Sequence, residues 1–150
     1  MKNLHDPSNA AELRGRLAKM QPSAARQWGR MTPAQALAHC ASAIEIALGD
    51  QQPRRLLIGR VIGGMVKPSL LGNDKPMKTG APTSPELKVE DERDFATERQ
   101  RLDRVIERFA TAGPAACTTH PHSFFGKLEP DEWAILMYKH VDHHLRQFGA

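Results

Sequence analysis

Apolar residues recur along this chain at the three- and four-residue spacing of helices, and nowhere in the two-residue alternation of strands. The first such stretch covers about residues 8–20, with Ser8 placed to cap it, Leu13, Leu17 and Met20 on one face, and Pro22 beyond its end. A second begins at Thr32-Pro33-Ala34-Gln35, where a capping hydroxyl, a proline at the first helical position and a glutamine three residues after the cap coincide; it runs to near Gly49. Residues 54–66 are apolar at Leu56, Leu57, Ile58, Val61 and Ile62 and read as an extra short helix, its far end weakened by Gly63-Gly64 and then Pro68. Residues 72–85 hold too many breakers for any regular element and form the long loop. Residues 91–112 give a helix with Phe95, Leu102, Ile106 and Phe109 inward and Gly113 at its end. Its charge pairs, Glu98/Arg101 and Arg104/Glu107, read as a solvated face. The last helix starts near Pro130, after the weak cap Glu129, and carries Trp133, Met137, His140, His144 and Phe148 on one stripe.

These stripes bury one another if four substantial helices pack antiparallel, so the predicted fold is all-α: a four-helix bundle with an extra short helix and a long loop. A length of 150 residues with 40% hydrophobic content suits a single domain over 1–150 around one core. The formal charge of +4 comes from basic residues scattered among acids, without interleaved aromatics, so no nucleic-acid partner is expected. The polar start and the lack of a long apolar run predict neither a signal peptide nor a membrane span, hence a cytoplasmic protein with no membrane partner. Cys40 and Cys117 lie far apart with no CxxC spacing and read as reduced, packing thiols.

Three of the seven histidines lie at 140, 143 and 144, and about 100° per residue decides which can cooperate. His140 and His144, four apart, share a face, the spacing by which one helix presents two imidazoles to one metal; His143 points partly off it. A third ligand has to come from a facing helix, and His39, among Ala36, Ala43 and Ile46, points into the core. Three neutral imidazoles suit a divalent ion such as zinc or nickel and leave a coordination position open. Single histidines on apolar faces are commonly hydrogen-bonded core residues, so spacing leaves that reading standing. Cys40 is turned about 100° from His39, His120 and His122 sit in the loop before the last helix, and Asp142 is expected on the solvent side. Lys139 and Arg146 read as helix-end charges or as holders of a substrate carboxylate.

Three segments carry a family resemblance: Gln35-Ala36-Leu37-Ala38-His39-Cys40, Phe125-Gly126-Lys127-Leu128, and Glu132-Trp133 with the run from Lys139 through His143 and His144 to Gly149. From about Trp28 onward the chain resembles the DinB/YfiT-like four-helix-bundle superfamily, in an uncharacterised bacterial branch. The resemblance implies a bundle, often a homodimer, with a metal on one histidine of the second helix and two, four apart, on the last; the matching positions are His39, His140 and His144. It also implies a metal-dependent transferase using a low-molecular-weight thiol, or a hydrolase, acting on a small-molecule substrate. The alternative is a non-catalytic metal-binding or dimerisation module, in which the ion is fully coordinated.

Overall fold

A computed structural model describes residues 1–81 and 83–150; Pro82, within the expected long loop, lies outside the described residues. Five α-helices follow in order, α1 Pro7–Lys19, α2 Pro33–Ala47, α3 Leu57–Leu71, α4 Phe95–Ala112 and α5 Pro130–Gln147, with short 3-10 turns at Pro85–Leu87 and Pro114–Ala116. The described residues contain no strand, so the all-α expectation holds.

Local chemistry sets the helix starts. Thr32 and Gln35 form the reciprocal capping pair expected for α2. Asp6, rather than Ser8, caps α1 by accepting from the Ser8 N–H, and Asp94 caps α4 through Thr97, so α4 begins four residues later than the pattern predicted. At α5 the weakness of Glu129 is offset from the other side, because the Glu132 carboxylate accepts from the Glu129 N–H at 2.8 Å.

α2 is rich in alanine, and the small side chains let α4 pack closely against it in the most extensive helix contact of the molecule. α2 also meets α5, and α1 meets both α4 and α5, so four helices enclose one core that includes Leu13, Leu37, Ile44, Ile106, Trp133 and Val141. Of the two charge pairs expected on a solvated face of α4, Arg104 and Glu107 are exposed, but Glu98 and Arg101 are drawn inward. Glu98 is buried and paired with Arg93 and Arg101, while Arg101 also reaches Glu45 at 2.7 Å and the Ser42 hydroxyl. Polar groups drawn into a helix interface must find partners there, and this network supplies them.

α3 stands outside that core against α5, and it runs straight through Gly63, Gly64 and Pro68. Gly59 and Gly63, one turn apart, face the backbone of Phe124, where a Cβ on either would lie 2.5 or 2.0 Å from the Phe124 carbonyl oxygen. Absence of side chains is thus what lets the turn at 123–126 lie flat on the helix. Gly64, on the outer side, has open space around it. Lys139, expected at the surface or at a substrate, is instead buried, and its ammonium donates to the carbonyls of Leu70, Asn73 and Lys75 at 2.5 to 3.0 Å. It therefore ties the end of α3 and the start of the long loop to α5, satisfying carbonyls that the helix end leaves free.

Candidate metal centre

α5 places His140 and His144 one turn apart, and α2 brings His39 against both. The three ring centroids form a nearly equilateral triangle, with sides of 4.7, 4.8 and 4.9 Å, and the ring planes cross at 69°, 76° and 81°. No two rings stack. One nitrogen from each lies within 4.8 Å of the others, and the Nε2 atoms of His39 and His140 are 2.8 Å apart. Metal–imidazole bonds of about 2.0 to 2.1 Å put two nitrogens on one tetrahedral ion roughly 3.3 Å apart, so the 2.8 Å contact is a hydrogen-bond spacing that an opening of a few tenths of an ångström would turn into that of co-ligands.

Their hydrogen bonds fix which nitrogens are free. The Leu87 carbonyl can only accept, so His39 Nδ1, at 2.8 Å, carries the proton and its Nε2 keeps a lone pair. The Gln147 amide donates its Nε2 to the Trp28 carbonyl at 2.8 Å, which leaves its Oε1 to accept from His144 Nδ1 at 2.8 Å. His144 Nε2 is then also a lone pair. His140 has no such support: its Nδ1 is shielded from water with no partner. Two neutral imidazoles that face each other through Nε2 share either one proton or one cation. A pair of lone pairs beside an orphaned third ring can serve as the donor set of a divalent ion, and zinc and nickel both accept nitrogen ligands of this kind.

Electrostatics point the same way. Burial holds His39 below its ordinary value against the pull of the Leu87 carbonyl, and it holds His140 well below, helped by the neighbouring imidazoles. Burial also depresses His144, to about 3. All three are neutral at physiological pH, the form in which imidazole binds metal.

The remaining candidates fall elsewhere. Cys40 is buried in the core, its thiol pushed up by desolvation, and it is not in the cluster. His120 donates Nε2 to the Pro53 carbonyl at 2.9 Å. His122 accepts on Nδ1 from the N–H groups of Phe124 and Phe125, holding the turn that α3 rests on. His143 packs beside the cluster, 5.0 Å from His144 and 5.3 Å from Trp28, ring to ring. Asp142, expected on the solvent side, is buried because α1 covers it: Arg16 reaches it at 2.7 Å and Arg146 at 2.9 Å. Arg146 is thereby engaged with its own helix.

Gln147 went unnoticed in the sequence, although its position three residues after His144 puts it on the same helix face. Substituting it by alanine leaves His144 Nδ1 unpaired, and loss of such a supporting partner typically weakens metal affinity about 10- to 100-fold. Titration of Gln147→Ala with zinc against a competing chelator is expected to show a loss in that range; unchanged affinity would mean that the amide orients nothing.

Two of these imidazoles also predict an acid response. His122 is held down to about 4, by burial and by Arg55, and His144 to about 3, against an ordinary 6.5. As pH falls below about 6.5, the unfolded chain takes up protons that the native fold refuses, so stability declines, and this loss is complete only below about pH 3. Urea midpoints are therefore expected to be lower at about pH 5 than at about pH 7. His122→Phe, less stable at the higher pH for want of its two turn hydrogen bonds, should show a shallower pH dependence.

Geometry and fold together define an all-helical protein with a three-histidine cluster, suited to a divalent ion, between its second and last helices. Over residues 3–150 the chain matches the family described as Protein of unknown function (DUF1569), and it belongs to that family. No curated protein and no solved structure matches it significantly.

Proposed function

We propose that this chain binds one divalent ion, zinc or nickel, through His39, His140 and His144, and that the site acts on small molecules as a thiol-dependent transferase or a hydrolase of the DinB-like type. The carrying observation is the number of ligands. The cluster holds three imidazoles, and among the described residues no cysteine or carboxylate joins them. Three protein ligands with a free position is the pattern of reactive metal sites, and four is that of structural ones. A bound ion supplies Lewis acidity that brings a coordinated thiol or water to its anion near neutral pH. The protein's own contribution is orientation: the Leu87 carbonyl and the Gln147 amide hold two rings in the ligating tautomer, and burial keeps all three uncharged.

A second reading, a non-catalytic brace between α2 and α5, draws on the direct 2.8 Å contact of His39 with His140 across the two helices. Cobalt-substituted protein separates the two. A new sulfur-to-cobalt charge-transfer absorption on adding a small thiol is the expected result, because an exchangeable position admits the thiolate. A cobalt spectrum indifferent to thiols and to small anions would leave the brace.

A further inference from the structure

Leu57, Val61 and Met65 recur at four-residue intervals on α3 and are 79%, 74% and 79% exposed, with Ile58 beside them at 57%. At about 100° per residue, the centre of this stripe lies about 180° from the seam of Gly59 and Gly63. The helix cannot roll to hide it, because that seam is locked against the Phe124 backbone, and Lys67 is paired with Glu132 at 2.7 Å. Exposed apolar surface of this kind, contiguous and rigidly held outward, marks a contact site.

Charge says what kind. Residues 54–72 contain Arg54, Arg55, Arg60 and Lys67 and no acid. Of the 21 Lys and Arg in the chain four are here, and of the 17 Asp and Glu none is, so the 17 basic residues elsewhere are matched by 17 acids and the formal +4 resides in this segment. Self-pairing fits poorly. Two α3 helices meeting antiparallel about a twofold axis would set the Arg60 flank of one against the same flank of the other, with no carboxylate in the segment to separate them, the nearby carboxylate of Glu132 being already paired with Lys67. The two stripes together would also bury only about 1,000 to 1,200 Å², the lower edge of stable interfaces. An aliphatic stripe edged by cations and free of acids is instead the composition of a helix that lies in the plane of a bilayer surface. No helix of the described residues is long and apolar enough to cross a membrane, and this contact requires none.

We propose that α3 docks this protein on anionic lipid surfaces, with Leu57, Ile58, Val61 and Met65 entering the acyl boundary and Arg54 and Arg60 meeting the headgroups. The protein would then approach the membrane by the face opposite the glycine seam. The test is flotation of the full chain with vesicles of phosphatidylcholine alone, and of phosphatidylcholine and phosphatidylglycerol in equal parts. The bound fraction is expected to be at least about tenfold higher on the anionic vesicles, and to fall in about 1 M salt, where screening shortens to about 3 Å. It should drop about tenfold in V61S/M65S, where apolar contact is lost, and likewise in R54Q/R60Q, where headgroup attraction is lost. All four positions are exposed, so circular dichroism and the melting temperature should stay at wild-type values. Equal binding to both vesicles, or variants that bind like wild type, would overturn the proposal. So would light scattering that shows a dimer in solution split by V61S/M65S.

Discussion

Protein purified after dialysis against zinc or nickel is expected to retain about one ion per chain, and His39→Ala, His140→Ala and His144→Ala are each expected to lose it. Removing one of three ligands must cost more than removing a supporting partner, so affinity should fall by more than about 100-fold in every variant. The effect also reaches stability. An ion present at about 100 times its dissociation constant stabilises the native state by about 2.7 kcal/mol, which in a chain of this size corresponds to a rise in melting temperature of roughly 5 to 10 °C. Wild type should show that rise and the three variants should not, while circular dichroism at low temperature confirms that each has folded. The variants differ in their metal-free stability: His39→Ala and His140→Ala break the 2.8 Å contact between α2 and α5, and His144→Ala breaks the bond to Gln147. Near-zero metal and no thermal shift in all four proteins would make the histidines a packed, hydrogen-bonded cluster and nothing more.

Adjacent glycines on α3 are expected to respond to alanine with opposite sign. Helix propensity alone favours both substitutions by about 1 kcal/mol. At Gly64 nothing lies within 4 Å of the new methyl, so Gly64→Ala should be more stable than wild type by about 0.5 to 1 kcal/mol. At Gly63 the methyl would lie 2.0 Å from the Phe124 carbonyl oxygen, and backbone cannot swing aside as a side-chain tip can. Overpacking of this kind costs about 1 to 3 kcal/mol beyond the propensity gain, or else α3 lifts off the turn. Urea denaturation of the two variants side by side reads the difference. A Gly63→Ala protein as stable as Gly64→Ala would mean that α3 is not seated on the turn at all.

Much of this molecule was legible in the sequence because the signals are local. The cap at Thr32-Pro33, the four-residue step from His140 to His144 and the place of His39 on an apolar helix all depend on neighbours within a turn or two, and the structure brings those three rings together. What was misread depends on partners far along the chain. Asp142 is solvent-facing by its angle on α5 alone, but Arg16 comes from 126 residues away to cover it. Lys139, midway along α5, is a clamp on three carbonyls rather than the helix-end or substrate-holding charge it reads as in the sequence, since α3 ends beside it. The two glycines that weaken α3 as an isolated helix are of different kinds, one pressed on Phe124 and one bare, and nothing in their spacing distinguishes them. The Leu87 carbonyl, which sets the tautomer of His39, belongs to a 3-10 turn that no side-chain pattern could announce.

Gly29 touches none of the histidines, yet it is joined to them. Its backbone is left-handed, at φ +77°, and a Cβ there would sit 2.6 Å from the Gln147 amide nitrogen, the atom that anchors on the Trp28 carbonyl. Any side chain at that position both strains the turn and pushes the amide off its seat, and the amide in turn lets His144 rotate. If His144 holds the proposed ion, this surface turn ahead of the second helix trims the ligand ring, and a change at Gly29 is expected to surface in a genetic screen as a defect in metal retention, 115 residues from that histidine.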